Sequence, residues 1–154
     1  MRVPAGLFKL TKEILRHLLR RPVVGISAVA RTEDGRILLV RRADTNNWAL
    51  PGGTVEWGET LRATIPRELL EEAGVQHVKA GHLLGVYSSP DRDPRFHAVT
   101  VLVGATISEP HPGTSNPVEI VESRLFEVGE LPRDLSHGNK EMLDRALSGE
   151  IVWE

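Results

Sequence analysis

The sequence predicts an α+β fold, with a mixed β-sheet packed against helices. Three observations lead there. The chain has 154 residues, 40% of them hydrophobic, which suits one globular domain with its own core. Apolar stretches of strand periodicity and of helix periodicity both occur along it. They do not alternate in the strict strand–helix order that builds a doubly wound parallel sheet.

The first element is "AGLFKLTKEILRHLLRR". Leu7, Leu10, Ile14, Leu15 and Leu18 recur at helical spacing, with Lys9, Lys12, Arg16 and Arg20 elsewhere on the surface. Residues 1–21 are therefore set apart as an N-terminal amphipathic helix, and residues 22–154 as the main domain. Such a helix docks on its own domain or on a second copy, which makes a homodimer one expectation. Its basic side chains also suit a membrane surface or an anionic partner.

"PVVGISAVART" reads as a strand, "EDGR" as a turn with Asp34-Gly35 at its corner, and "ILLVRR" as a second strand. Residues 23–42 thus predict a hairpin. "ADTNNWALPGG" is a loop rich in turn formers. A short extended piece and a helix over residues 61–73 follow. "VKAGHLLGVYSS", "HAVTVLVGATIS" and "IVESRLFEV" predict three more strands, separated by the polar, proline-bearing loops "PDRDPRF" and "EPHPGTSNP". "NKEMLDRAL" is a closing helix. There is no internal repeat and no low-complexity tract.

Bulk properties exclude several functions. The net charge of −2 gives no global basic field of the kind a dedicated nucleic-acid binder carries. With no cysteine, a disulfide scaffold and a thiolate zinc site are both ruled out, and a reducing cytoplasm is the expected compartment. No apolar run approaches the ~20 residues that span a bilayer, and the N-terminus lacks the pattern of a secretory signal. His17, His77, His82, His97, His111 and His137 show no zinc-ligand spacing. No Gly-x-Ser-x-Gly nucleophile signature is present.

The chemistry concentrates in "GGTVEWGETLRATIPRELLEEAGV", residues 52–75. On a helix, Glu68, Glu71 and Glu72 sit at i, i+3 and i+4 and share an arc of roughly 100°. Ile65, Leu69, Leu70 and Ala73 take the neighbouring arc, expected to pack on the sheet. The carboxylates thus lie beside the buried seam, where repulsion between like charges is stronger. A hard divalent cation with oxygen ligands reverses the sign of that interaction and leaves positions for phosphate oxygens. Gly52-Gly53 let the backbone approach closely, and Gly74 ends the helix. Arg67 stands one turn before Glu71 and can fold back on Glu59 as a bidentate pair. Pro66 inside the helix removes a hydrogen bond. It predicts a helix that starts late, near Leu61 or Arg62, or kinks at Pro66.

The arrangement Gly53, Glu59, Arg67, Glu68, Leu69, Glu71, Glu72, Gly74, Val75 resembles the Nudix box. Every defined position matches within a 23-residue frame. "NNWALPGG" before it and "VESRLFEVGELP" after it resemble Nudix flanks. The resemblance implies the Nudix fold, a sheet between helices in an α/β/α sandwich, here with an extra N-terminal helix. It implies hydrolysis of the phosphoanhydride of a nucleoside diphosphate linked to another group, with Mg²⁺ or Mn²⁺. Glu68, Glu71 and Glu72, with the Gly52 carbonyl, are the expected metal ligands. Arg67 joins them in the catalytic set, and Gly53, Glu59 and Gly74 hold the box in shape. A carboxylate from a later loop, Glu119 or Glu122, is a further candidate ligand.

Substrate signals lie outside the box. Pro90 stands fifteen residues after Val75, a placement that by resemblance goes with ADP-ribose-type substrates. "SPDRDPRFH" resembles the loop of such members, with Arg92 and Arg95 toward a phosphate or ribose and Phe96 or His97 near a base or sugar. The alternative is a solvent loop in which Asp91 and Asp93 balance the arginines. Arg41 and Arg42 end a strand, and since strand neighbours face opposite ways at most one reaches the substrate; Arg41 is the candidate taken. Trp48 either stacks on a base or packs. The small-molecule substrate favoured is ADP-ribose or a related sugar nucleotide. The alternatives are a nucleoside triphosphate, oxidised ones included, and a Nudix-fold sensor that binds a nucleotide without cutting it.

Overall fold

The computed structural model describes residues 13–15, 21–111 and 117–154. Of the expected N-terminal helix, residues 13–15 are helical; the rest lies outside the described residues, apart from Arg21.

Strand β1 (Val23–Arg31) is the spine of the sheet. On one edge it pairs in parallel with β6 (Ala98–Ile107) over its whole length, from Val23 opposite Ala98 to Arg31 opposite Thr106. On the other edge its first half pairs antiparallel with β4 (Gly52–Thr54). Beyond β6 come β5 (Val78–Tyr87), antiparallel, and β8 (Val152–Trp153), parallel to β5. Strand β2 (Ile37–Arg42) pairs antiparallel with β3 (Trp48–Ala49) and β7 (Ile120–Phe126). The sheet is therefore mixed.

The predicted β1–β2 hairpin exists only at its turn. The two strands meet at a single pair, Arg31 opposite Ile37, below a turn in which the Gly35 amide donates to the Thr32 carbonyl at 2.9 Å. Gly35 has φ 93°, a left-handed conformation that glycine takes at no steric cost. Further along, the edge that β2 would use is taken by β4, so β2 splays away toward β7. The short strands β3 and β8 have no counterpart among the sequence expectations.

Two layers of core cover the sheet. Because side chains alternate along a strand, Ile26, Ala28 and Ala30 of β1 face one side and Val29 the other. The first side is closed by α1 (Leu61–Ala73) through Ile65, Leu69 and Ala73. The second is closed by α2 (Asn139–Leu147) through Met142 and Leu143, which pack with Ile37, Leu39, Tyr87 and Leu102. The result is the α/β/α sandwich expected. No described helix is long and apolar enough to cross a membrane.

Helix α1 begins at Leu61, capped by the Thr60 side chain, which accepts from the Ala63 amide at 3.3 Å. It ends at Gly74, φ 64°, whose amide donates to the Leu70 carbonyl at 2.9 Å. The late start expected from Pro66 is what the fold shows. The helix runs on through Pro66, which has no N–H to offer the Arg62 carbonyl one turn earlier. One expectation fails: Leu70 is not in the buried seam but 46% exposed. The buried positions are Thr64, Ile65, Leu69, Glu72 and Ala73. At ~100° per residue their common arc is turned toward Glu72, and Leu70 falls outside it.

Candidate active site

That rotation of α1 sets the electrostatics of the site. Glu72 is driven into the interface with β4, where only 6% of the residue is exposed. Its Oε2 accepts a hydrogen bond from the Gly52 amide at 2.9 Å. Burial pushes the Glu72 carboxyl up to about 8, and the Glu68 charge adds to this, against the opposing pull of the Gly52 amide. Glu68 lies one turn earlier and is pressed onto Gly53: a Cβ there would sit 2.2 Å from Glu68 Oε1. Burial raises Glu68 as well, opposed in part by Arg67. Glu71 is the outermost of the three, its side chain 54% exposed.

Arg67 is the cation among these acids. Its Nε and Nη2 donate to the two oxygens of Glu59 at 2.7 and 3.0 Å, the bidentate geometry expected of the pair. Its Nη1 lies 3.0 Å from Glu68 Oε1 and 3.2 Å from Glu71 Oε2. The Arg67 hydrogen bonds hold the Glu59 carboxyl down at about 2. Glu59 also accepts from Thr64 Oγ1 at 2.9 Å and from the Glu56 amide at 3.2 Å, so it ties the loop after β4 to the start of α1.

Among the described residues, no three acidic or imidazole side chains converge as a ready metal cage. Glu72 turns to Gly52, Glu68 lies on Gly53, and Glu71 leans on Arg67. The donor set is nevertheless all oxygen and suits a hard divalent ion. Two carboxylates in this set are held toward their neutral forms by burial, a cost that a cation removes. Glu119, in the loop before β7, lines the same cleft, and its charge pushes both Glu68 and Glu72 upward. Glu122 does not: it pairs with Arg41 at 2.8 Å and with Arg124 at 2.5 Å, away from the cleft.

The cleft has a volume of about 530 Å³. The acids of α1 and Gly52-Gly53 form one pole. The other is a chain of opposite charges drawn from the end of β2 and from three loops. Arg42 donates to Asp44 through Nε and Nη2 at 2.9 and 2.8 Å. Arg95 Nη1 donates to the same carboxylate at 3.0 Å. Arg95 Nε and Nη2 donate to Asp93 at 3.0 and 2.8 Å. His137 Nδ1 lies 3.8 Å from Asp93. Phe96 lines the cleft beside them, its ring 5.1 Å from the Arg95 guanidinium. The Arg42 hydrogen bonds hold Asp44 far below the usual carboxylate range. Asp93, although burial opposes it, is also pulled below that range by Arg95. His137 is held below the usual imidazole range, by burial first and then by Arg95.

Several expected substrate contacts are relocated. Arg42, not Arg41, lines the cleft. Arg41 faces away, bonded to Asn46 at 3.0 Å and paired with Glu122. A register shift between Arg41 and Arg42 in the pairing with β7 marks the place where the strand re-aims. Trp48 packs edge-on against Phe126 at 4.9 Å, in the core layer under α2. Arg92 lines the cleft, but its guanidinium is bound to Glu141 at 2.5 Å and to Glu154. It also lies over the Tyr87 ring at 5.0 Å. Glu154 in turn accepts from the Ser88 and Ser89 amides at 2.9 and 3.0 Å, so Arg92 braces the loop after β5. His97 bonds the Ser88 carbonyl at 2.9 Å.

Arg42, Asp44, His137 and Asn139 are cleft residues to which the sequence assigned no role there; Asp93, expected as a balance for the loop arginines, does pair with Arg95. Asn139 Oδ1 accepts from the Leu50 amide at 2.7 Å. It thereby fastens the stretch before Gly52 to the start of α2. The local signal for these residues was only turn composition; what makes them a cluster is tertiary.

Comparison with known proteins agrees with this geometry. Residues 20–146 match the NUDIX domain. An ADP-ribose pyrophosphatase from Methanocaldococcus jannaschii is 36% identical over 121 residues, covering 76% of this chain and 69% of that one. The crystal structure of a MutT NUDIX hydrolase from Burkholderia pseudomallei superposes with a TM-score of 0.69 at 32% identity, over 82% of this chain and 98% of the other. That of an ADP-ribose pyrophosphatase from Streptococcus suis does so with a TM-score of 0.68 at 26% identity, over 87% of this chain and all of the other. Nudix hydrolases generally require divalent metal ions, and the chain belongs to that family, as a Nudix pyrophosphohydrolase.

Proposed function

We propose that the protein hydrolyses the phosphoanhydride of ADP-ribose or a related sugar nucleotide. In this reading Glu68, Glu71, Glu72 and the Gly52 carbonyl hold Mg²⁺ or Mn²⁺. When bound, the ion polarises phosphoryl oxygens and makes a water more acidic. Glu68 and Glu72 sit in a wall of low dielectric that favours their neutral forms, so a bound cation would draw out their charge and be held by it. Arg67, locked on Glu59, keeps the loop after β4 and the acidic turn of α1 in fixed relation. That is the positioning such chemistry needs.

The observation that carries the reading is the two-pole cleft. Anionic residues on α1 face the same space as Arg42, Arg95 and Phe96, so a diphosphate at the first pole leaves a linked group at the second. Two relatives named as ADP-ribose pyrophosphatases support the choice of substrate.

The test is a substrate panel with Mg²⁺: ADP-ribose, other sugar nucleotides, dinucleoside polyphosphates and nucleoside triphosphates. ADP-ribose is expected to rank first, giving AMP and ribose 5-phosphate. A higher rank for the triphosphates, with release of pyrophosphate, overturns the substrate. Binding without turnover across the whole panel supports a sensor instead.

A further inference from the structure

Two arginines in a cleft that takes a diphosphate ordinarily read as a phosphate clamp. Here both are already occupied. Nε, Nη1 and Nη2 of Arg95 all donate to carboxylates, Nη1 to Asp44 and the other two to Asp93. Nε and Nη2 of Arg42 donate to Asp44. Asp93 is engaged further by the Arg95 backbone amide at 2.9 Å, and Asp44 by the Thr45 amide at 2.8 Å. Two positive and two negative side chains leave this pole with no formal charge.

The chemistry of the four groups decides what fits beside them. A carboxylate only accepts hydrogen bonds, and so does a fully ionised phosphate. A phosphate entering here meets guanidinium groups whose charge is already balanced, and lies against the like charge of Asp44 and Asp93 unless it displaces them. A hydroxyl group donates to the remaining lone pairs of the same carboxylates and breaks nothing. Phe96, 41% exposed at the rim, adds an apolar face of the kind a sugar ring lies on.

We propose that Asp44 and Asp93 determine specificity: by occupying Arg42 and Arg95 they make this end of the cleft take an uncharged, hydroxyl-rich group and reject a further phosphate. The inference rests on the function proposed above and adds the chemistry of the linked group.

The experiment compares kcat/KM for ADP-ribose and for ATP, both with Mg²⁺, in the wild type, Asp44→Asn and Asp93→Asn. Removing one carboxylate charge frees an arginine. It is expected to shift the ratio toward ATP by about tenfold, through KM more than kcat. A ratio unchanged within about twofold, or shifted toward ADP-ribose, overturns the inference. Failure of the wild type to cleave any sugar nucleotide sinks the substrate reading instead. Equilibrium binding of ATP and ADP-ribose to the same proteins then still reads the inference, with the same tenfold shift expected in the ratio of Kd values. If Asp44→Asn does not fold, as judged by its melting curve, Asp44→Ser and Asp93→Asn carry the comparison.

Discussion

The Glu72 carboxylate accepts a hydrogen bond from the Gly52 amide at 2.9 Å, joining a helix to a strand through two residues 20 positions apart in the chain. The bond satisfies one oxygen of a group that burial would otherwise make still costlier to ionise. It also gives the acidic turn of α1 a fixed distance from the Gly52-Gly53 backbone.

Stability without metal should fall as pH rises through the neutral range. Glu72 is held at about 8 against an ordinary 4.5. Between those values the unfolded chain releases a proton that the folded chain keeps. The Glu72 contribution to stability is therefore full below about 4.5, declines by up to about 1.4 kcal/mol per pH unit, and levels off above 8, while Glu59, Asp44 and Asp93 lose theirs on the acid side. Urea melts in a chelator at several pH values, on wild type and Glu72→Gln, isolate this contribution. The wild-type curve should slope downward relative to the variant, and parallel curves would remove Glu72 as the source.

Turnover should depend on the same carboxylate in the opposite sense. Glu72→Gln is expected to lower kcat by orders of magnitude while the far-UV spectrum is unchanged, since the amide keeps the shape but not the charge. A chelator should abolish turnover in the wild type, and added Mg²⁺ or Mn²⁺ should restore it. Near-normal turnover of Glu72→Gln would reject its assigned role.

The two glycines of the box entrance should fail differently. A Cβ on Gly52, at φ 150°, would sit 2.1 Å from the Ile26 carbonyl oxygen. Gly52→Ala therefore strains backbone against backbone and should cost more than about 2 kcal/mol. A Cβ on Gly53 meets the Glu68 carboxylate, the end of a flexible side chain. Gly53→Ala should fold with a smaller loss of stability, yet lose activity by displacing Glu68. Thermal melts and kcat on the two variants separate these outcomes.

Pro66→Ala should raise the melting temperature. It returns a donor to the Arg62 carbonyl and removes a ring from the helix interior, a gain of about 1–3 kcal/mol, less the entropy alanine adds to the unfolded chain. A melting temperature at or below that of the wild type would mean that the helix has absorbed Pro66 without strain.

The parts legible in the sequence are those whose determinants are local. The bounds of α1 follow from Pro66 and Gly74, and α2 lies where "NKEMLDRAL" was expected to form a helix. The Arg67–Glu59 fork follows from spacing along one loop and helix. Contacts between distant segments were not legible. That β1 would take β6 and β4 as neighbours depends on a competition among strands that no hairpin turn records. Arg41 and Arg42 were correctly limited to one in the cleft, but the register shift that selects Arg42 lies in the pairing with β7. Arg92 was lost to Glu141 and Glu154, 49 and 62 residues away. Leu70 was misplaced because the seam of α1 is rotated to bury a carboxylate, which hydrophobic patterning alone does not anticipate.

The short stretch from Leu50 to Gly52 is tethered from both sides of the sheet, by Asn139 at the start of α2 and by Glu72 of α1. The two ends of the cleft thus share one mechanical support. A redesign that remodels the turn ahead of α2 to admit a different leaving group will also shift the anchorage of the reaction centre. Changes of selectivity in this scaffold should therefore arrive coupled to changes in rate, and a variant library that varies both ends together will find solutions that one built on either end alone would miss.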